Sequence, residues 1–148
     1  MQASVSWFFS AAQRYPDPAG RPAYRWDYAY QDKHVEDAGH GSLDVEGLHQ
    51  AYLSDRYGIT SDMMAPLVNT FTDVMTKGTG HYAGRVDGTD GTGSSAPGKD
   101  VRSGWLLLAE FQPASYQLLL SPDLPGGNSG AVDQFAAALL AKSRHNRA

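Results

Sequence analysis

The chain has 148 residues, of which 41% are hydrophobic, and its formal net charge at pH 7 is −4. That length allows one domain with a real core, since a chain of about 150 residues buries roughly 68–70% of its unfolded surface. The 12 basic residues are scattered, which excludes the basic patch that nucleic acid or an anionic membrane would require as a partner. The absence of cysteine excludes disulfides, thiolate metal sites and cysteine nucleophiles.

The first segment, MQASVSWFFSAAQR, predicts a helix with Trp7 in the core. It lacks a basic region, and its apolar part is too short for a signal peptide or a membrane span. As given, the sequence therefore favours a cytoplasmic protein. A buried helix at the very start also suggests that an amino-terminal half is missing, and with such a segment restored the protein would be periplasmic or secreted.

An aromatic row follows a proline-rich connector. The motif YPDPAGRP predicts a loop, because proline fixes φ and removes a backbone donor. In the next stretch, aromatic side chains alternate with polar or small ones at Tyr24, Trp26, Tyr28 and Tyr30. A period of two places such side chains on one side of an extended segment. The row therefore either packs against helices or faces a ligand.

Two helices are predicted next, at about 41–57 and 61–77, and the short link YGITS makes them antiparallel neighbours. Either Asp37 or Ser42 is suited to cap the first one, and Gly58 fits the left-handed position after its end. Pro66 predicts at most an early kink in the second helix.

The remainder of the chain alternates long loops with helical pieces. Residues 78–104 form a long loop rich in Gly and Asp, in which only HYAGRV is suited to a short strand. Helical segments are predicted from Trp105 onward and from Ala131 to Ser143, where apolar residues recur at helical spacing. The expected fold is a single all-α domain over 1–148.

The motifs YRWDY, EDAGHGSLDV, YGIT, LVNTF, GRVDGT and GWLLLAEFQPASY occur in this order. The pattern, over about residues 5–120, resembles the C-terminal part of bacterial α/α-toroid carbohydrate-active proteins, the alginate-lyase-like and heparinase-like group. The resemblance implies antiparallel helical hairpins that form part of a toroid around a cleft for an oligo- or polysaccharide. It also implies that half of the toroid is absent, so that the exposed faces favour a homo-oligomer.

Catalytic candidates cluster in HVEDAGHGSLD. His40 has Asp37 three residues before it and Asp44 four residues after it, which places both carboxylates beside the imidazole on a helix. A carboxylate that orients an imidazole is a common general-base arrangement. The structural alternative is that Asp37 only caps the helix while His40 bonds a loop carbonyl. Glu36 and Tyr28 are the further acid or base candidates.

Substrate contacts are expected from the aromatic row and from two arginines. Tyr24, Trp26 and Tyr30 offer flat faces on which sugar rings pack, although such rows also fill cores. The guanidinium groups of Arg25 and Arg85 suit a uronate carboxylate, and loop salt bridges are the structural alternative.

No metal and no other cofactor is expected. The acidic and histidine residues His34, Glu36, Asp37, His40, Asp44 and His49 lie near one another in sequence but match no zinc signature. The loop DGTDGTG lacks the acids and the closing glutamate of a calcium loop, so its residues act as turn formers.

Two classes of function stay open. A polysaccharide lyase would remove the C5 proton of a uronate and eliminate the C4 oxygen, and a glycoside hydrolase would instead use two carboxylates about 5–10 Å apart. Glu36, Asp37 and Asp44 are the candidates for such a pair. The alternative is a helical binding or structural domain without turnover.

Overall fold

The computed structural model of the chain describes residues 2–78, 81–98 and 101–112. Its α-helices are α1 (Gln2–Ala11), α2 (Ala38–Leu53) and α3 (Ser61–Asn69), and α3 continues as a π-helical segment, Thr70–Met75. Two 3-10 segments, Gly93–Ser95 and Ser103–Glu110, follow. None of the helices in these ranges is long and apolar enough to cross a membrane. The predicted helix at 131–143 lies outside the described residues.

Two small antiparallel sheets accompany the helices. Strand β1 (Gln13–Pro16) pairs with β2 (Pro22–Arg25), and β3 (Thr76–Gly78) pairs with β4 (His81–Tyr82), within the HYAGRV stretch predicted as a strand. The described residues thus form a mixed α/β arrangement. The prediction of an all-α fold of toroid hairpins is wrong.

The connector predicted as a plain loop is a β-hairpin, because its prolines occupy positions where a missing donor costs little. Pro16 and Pro22 face each other at the end of the ladder, a place where proline is tolerated in sheets. Asp17 closes the turn, since its Oδ1 accepts the amides of Ala19 and Arg21, both at 2.8 Å. The guanidinium of Arg21 then pairs with Asp73 in the π-helical segment.

Helices α2 and α3 do not form the expected hairpin. Helix α2 packs mainly on the 3-10 segment Ser103–Glu110, whereas α3 packs mainly on β2 and contacts that segment less extensively. This segment is almost wholly apolar, and its residues from Trp105 to Ala109 are buried. A buried apolar segment between two helices separates them. Helix α2 accordingly ends at Leu53, short of the predicted 57, and Gly58 has its positive φ of 66° in the loop beyond.

Helix α3 starts as predicted but ends differently. Pro66 lies inside it, and the chain widens into the π-helical segment from Thr70 before β3 begins at Thr76. Thr70 lies against β2: its Oγ1 accepts the amide of Tyr24 at 2.9 Å and lies 2.9 Å from the carbonyl oxygen of the same residue. This hydroxyl joins the helix to the first hairpin.

Aromatic rings form the centre of the core. Trp105 stacks on Phe71 with ring centroids 5.2 Å apart, and Phe71 stacks on Tyr82 at 5.5 Å. Around these rings the buried residues include Leu48, Leu67, Val68, Leu107 and Leu108, and Tyr52 packs partly buried against the core. Trp7 is 37% exposed, so its assignment to the core is wrong: α1 turns Val5 and Phe8 inward instead.

Two glycines of α2 provide a matched test of this packing. A Cβ at Gly41 would lie 2.9 Å from Val86 Cγ1 and 3.1 Å from the Trp105 ring, whereas one at Gly47 meets no atom within 4 Å. We expect Gly41→Ala to lower the free energy of unfolding by about 1–3 kcal/mol through overpacking. Gly47→Ala should raise it by up to about 1 kcal/mol, because alanine is the better helix former. Denaturant unfolding measures both, and equal effects of the two changes would contradict this packing.

Candidate functional site

Three extended stretches assemble the site from distant parts of the chain. The amide of Glu36 donates to the carbonyl of Trp26 at 3.1 Å, and the carbonyl of Glu36 accepts the amide of Val86 at 3.0 Å. One step further, the amide of Ala38 donates to the carbonyl of Gly84 at 2.9 Å. The stretch 34–38 therefore lies between 26–28 and 84–86, and its acids line one cleft with Tyr28 and Arg85.

Asp37 both caps α2 and binds the imidazole of His40. Its Oδ1 accepts the His40 amide at 2.8 Å, and its Oδ2 lies 2.8 Å from His40 Nδ1. Capping by Asp37 rather than Ser42 starts the helix at Ala38. The two roles weighed from sequence, helix cap and orienting carboxylate, belong to the same side chain.

The imidazole of His40 faces an open cleft. Its side chain is 49% exposed, and the ring of Tyr28 packs edge-on against it with centroids 5.2 Å apart. The cleft has a volume of about 390 Å³ and is lined by Tyr28, Asp32, His34, Val35, Glu36, Asp37, His40, Arg85, Ser94 and Ser95. Because Nδ1 is held by Asp37, Nε2 is the ring nitrogen left for a ligand.

The Asp37–His40 pair favours charge separation. Burial alone would raise the pKa of Asp37, but hydrogen bonds from the His40 amide, the His40 ring and the Ser94 side chain lower it overall. The hydrogen bond to Asp37 raises the pKa of His40, against the opposing effect of partial burial. The carboxylate is thus kept ionised beside a histidine of increased basicity.

Glu36 lies beneath this pair and holds a proton near neutrality. Burial, followed by the charge of Asp44, raises the pKa of Glu36 to about 7. Burial also raises the pKa of Asp44, although hydrogen bonds from Trp26 and Glu36 oppose the shift. Two carboxyl groups can share a hydrogen bond only when one is protonated. Glu36, which is buried, and Asp44, which is half-buried, therefore form an acid pair whose raised pKa values favour retention of one proton near neutrality.

The structure places the other sequence candidates apart from the cleft. Tyr24 and Trp26 are buried in the core, and the Trp26 Nε1 donates to Asp44 at 2.9 Å. Arg25 lies 3.8 Å from Asp87, on the hairpin side. Tyr30 is exposed outside the cleft, with Lys33 Nζ 5.6 Å from its ring centre. The aromatic row thus leaves the core after Trp26, where the chain turns between Ala29 and Asp32.

The long Gly-rich loop forms one wall of the cleft. Gly84 sits so close to the Ser95 carbonyl that a Cβ would lie 1.8 Å from its oxygen. The Gly84 amide donates to Asp90 Oδ1 at 2.9 Å, and Arg85 Nη1 donates to the Asp90 carbonyl at 2.8 Å. Arg85 is therefore fixed at the cleft by the loop that follows it.

Three residues near the site gave no signal in the sequence. Ser94 and Ser95 line the cleft, but they lie in a stretch typical of an ordinary turn. The charge of Arg102 lowers the pKa of His40 against the larger effect of Asp37. The buried Nε of Arg102 has no hydrogen-bond partner among the described residues. These three residues are more than fifty positions away from Asp37 and His40 in the sequence. Only tertiary contacts bring them to the site, so no local sequence pattern could have predicted them.

Part of the acid and histidine set could hold a metal. Ligand atoms of Glu36, Asp37 and His40 lie within 4.8 Å of one another, which is close enough for a divalent cation. Coordination through His40 Nδ1 would break its bond to Asp37. His49 lies elsewhere: it is buried and bonded to Glu110, so the six residues considered from sequence do not converge.

Comparisons with protein-family models, with curated proteins and with solved structures find no match to this chain. The function of the chain is therefore inferred from the geometry of the cleft.

The shifted pKa of Glu36 predicts a pH-dependent stability. The protonated acid stabilises the fold below about pH 4.5, and this contribution is lost as the pH rises through about 7. At about 1.4 kcal/mol for each pKa unit, the loss is at most roughly 3 kcal/mol. Glu36→Gln mimics the neutral acid, so it should be more stable than the wild type at pH 8 and of similar stability at pH 4.5.

Urea unfolding of both proteins between pH 4.5 and 8 measures this difference. Glu46→Gln, at an exposed position of α2, serves as the control and should follow the wild type at every pH. A Glu36→Gln variant whose stability runs parallel to that of the wild type across this range would contradict a protonated Glu36.

Proposed function

We propose that the cleft is an acid–base site for uronate-containing glycans and that its reaction is β-elimination. The observation that carries the proposal is the Asp37–His40 pair, joined at 2.8 Å, whose half-exposed imidazole opens into a cleft shared with Tyr28 and Arg85. A general base oriented by a carboxylate, a hydroxyl donor and a fixed cation are the groups that this reaction requires.

Each group has one role in the proposed step. His40 Nε2 takes the proton from C5 of the uronate, and the electrons of that C–H bond form a double bond between C4 and C5. The bond from C4 to the glycosidic oxygen breaks, and the departing oxygen receives the phenolic proton of Tyr28. The products are a shortened chain and an unsaturated uronate, and water later returns the two protein groups to their starting protonation states.

Arg85 makes the C5 proton more acidic. Its guanidinium is suited to pair with the uronate carboxylate, and partial neutralisation of that carboxylate stabilises the negative charge that develops when the adjacent proton leaves. The bond from Nη1 to the Asp90 carbonyl fixes the side chain beforehand, so little conformational freedom remains to be lost on binding.

Hydrolytic alternatives fit the geometry less well. The acidic pair of a glycoside hydrolase must reach both sides of the scissile bond, whereas Glu36 is buried and Asp37 is occupied with the helix cap and the imidazole. A serine nucleophile would need to bond the imidazole, but the Ser94 side chain bonds Asp37. Proton abstraction by His40 needs neither arrangement.

Replacement of His40 tests the base. We expect His40→Gln to lower the rate of unsaturated uronate formation by about 10²–10⁴-fold, the usual contribution of a general base, while oligosaccharide binding and melting temperature change little. Ultraviolet absorbance of the conjugated product, with alginate, heparin and polygalacturonate as substrates, measures the rate. His81→Gln, an exposed histidine on β4, is the matched control.

Three outcomes separate this proposal from its rivals. Turnover that survives in His40→Gln would rule out His40 as the base. Glycan binding by the wild type without any product would indicate a binding domain. Activity that disappears with a chelator and returns with a divalent cation would assign Glu36, Asp37 and His40 to a metal instead.

Replacement of Asp37 tests the orienting role through pH dependence. Asp37 raises the pKa of His40, and the base acts as neutral imidazole, so activity should rise with pH through that raised pKa. Asp37→Asn removes the negative charge, which lowers the pKa of His40 and moves the acidic limb of the pH–rate profile to lower pH. The maximal rate should fall as well, and an unmoved limb would contradict the pairing.

A further inference from the structure

A shallow aromatic hollow adjoins the cleft and has no part in the step proposed above. We name it the aromatic trough: it is lined by Ser4, Trp7, Tyr28, Ala29 and Tyr30 and has a volume of about 560 Å³. Tyr28 lines both the trough and the cleft, so the two surfaces are continuous.

Core packing does not explain the exposure of these rings. Helix α1 buries Val5 and Phe8, while Trp7 remains 37% exposed. Tyr28 and Tyr30 are more exposed still, at 52% and 72%. Three large aromatic side chains that share one hollow form a grouped apolar patch, and such patches mark binding surfaces.

We infer that the aromatic trough is a second subsite, which binds a neighbouring sugar ring of the same glycan whose uronate lies at His40. The inference rests on the proposed function and deepens it. Because Tyr28 packs edge-on against His40 with ring centroids 5.2 Å apart, a chain that reaches the imidazole must pass this ring to enter the trough.

The chemistry of the lining favours a sugar. Flat indole and phenol faces pack against the C–H faces of a pyranose, and hydroxyl groups at their edges bond its hydroxyls. Lys33 provides a positive charge beside Tyr30: its Nζ lies 5.6 Å from the centre of that ring. The side chain is 73% exposed, and its only ion pair among the described residues is a long one, 3.9 Å from Nζ to Asp27 Oδ2. That charge suits the carboxylate of a second acidic sugar.

The tryptophans of the chain make the inference directly measurable. Of the three, Trp26 and Trp105 are buried at 4% and 0% exposure, so acrylamide quenching of fluorescence reports mainly on Trp7. The probes are alginate oligosaccharides from the disaccharide to the hexasaccharide. We expect the hexasaccharide to protect Trp7 from quenching in His40→Gln, which binds it with little turnover, and the disaccharide to protect it less.

Variants of the trough test its contribution to affinity. We expect Trp7→Ala to weaken hexasaccharide binding by about tenfold, the effect of a lost aromatic contact of roughly 1.4 kcal/mol, and Trp7→Phe to weaken it less. Leu53→Ala changes an apolar residue of similar exposure, 43%, that does not line the trough, and should bind like the wild type. Melting temperatures of all variants establish that they are folded.

The outcomes distinguish this inference from the proposed function. Turnover of the polymer without protection of Trp7 would overturn the trough as a subsite and leave the acid–base site intact. Absence of both binding and turnover would overturn both. Protection of Trp7 that grows with protein concentration in the absence of glycan would show that a second copy of the chain covers the trough, which also overturns the inference.

Discussion

The site depends on one interaction in the core, the hydrogen bond from Trp105 Nε1 to the carbonyl of Ala38 at 3.0 Å. The indole is fully buried and stacked on Phe71, so its donor has a fixed direction, and an unpaired buried donor would cost about 1–3 kcal/mol. Ala38 is the first residue of α2. The bond therefore fixes the start of the helix, and with it the positions of Asp37 and His40.

Tight contacts keep that helix start in place. Gly41 allows the helix to approach Val86 and the Trp105 ring. Gly104 leaves room for the carbonyl oxygen of Ser42, which would lie only 2.2 Å from a Cβ at that position. Closely packed interiors resist small displacements. Because the start of α2 is closely packed, the imidazole of His40 and the carboxylate of Asp37 keep one relative geometry. A general base needs such a fixed geometry.

The acids of the site are arranged by depth. Glu36 is buried and Asp44 half-buried, and the raised pKa values of both favour retention of one proton, whereas the lowered pKa of Asp37 keeps it ionised against His40. Two ionised carboxylates in the buried layer would repel each other without solvent screening. Retention of one proton limits the negative charge beneath the imidazole. The neutral acid stabilises the fold less as the pH rises, so the chemistry of the site and the stability of the protein are linked.

The sequence by itself determined the local features. Neighbours within a few residues decide the start of α3 at Ser61, the positive φ of Gly58 and the i, i+3 pairing of Asp37 with His40. They also limited the cap of α2 to two candidates, Asp37 and Ser42, of which the structure uses Asp37. Short-range geometry dictates such features, because helix spacing and backbone sterics are the same in every fold. Periodicity nevertheless predicted α-helix in two places where the backbone differs. Residues Ser103–Glu110 form a 3-10 segment, and α3 continues as the π-helical segment Thr70–Met75.

Tertiary structure decided the rest. Partners far along the chain decide the pairing of β1 with β2, the burial of Tyr24 and Trp26 and the exposure of Trp7. They also decide the bridge between Asp37 and Arg85. An alternating aromatic row has the same sequence pattern whether it faces a core or a ligand, and the turn after Ala29 divides this row between the two. Side chains from distant segments meet only when the core fixes their relative positions, and a pattern read along the chain contains no such distances.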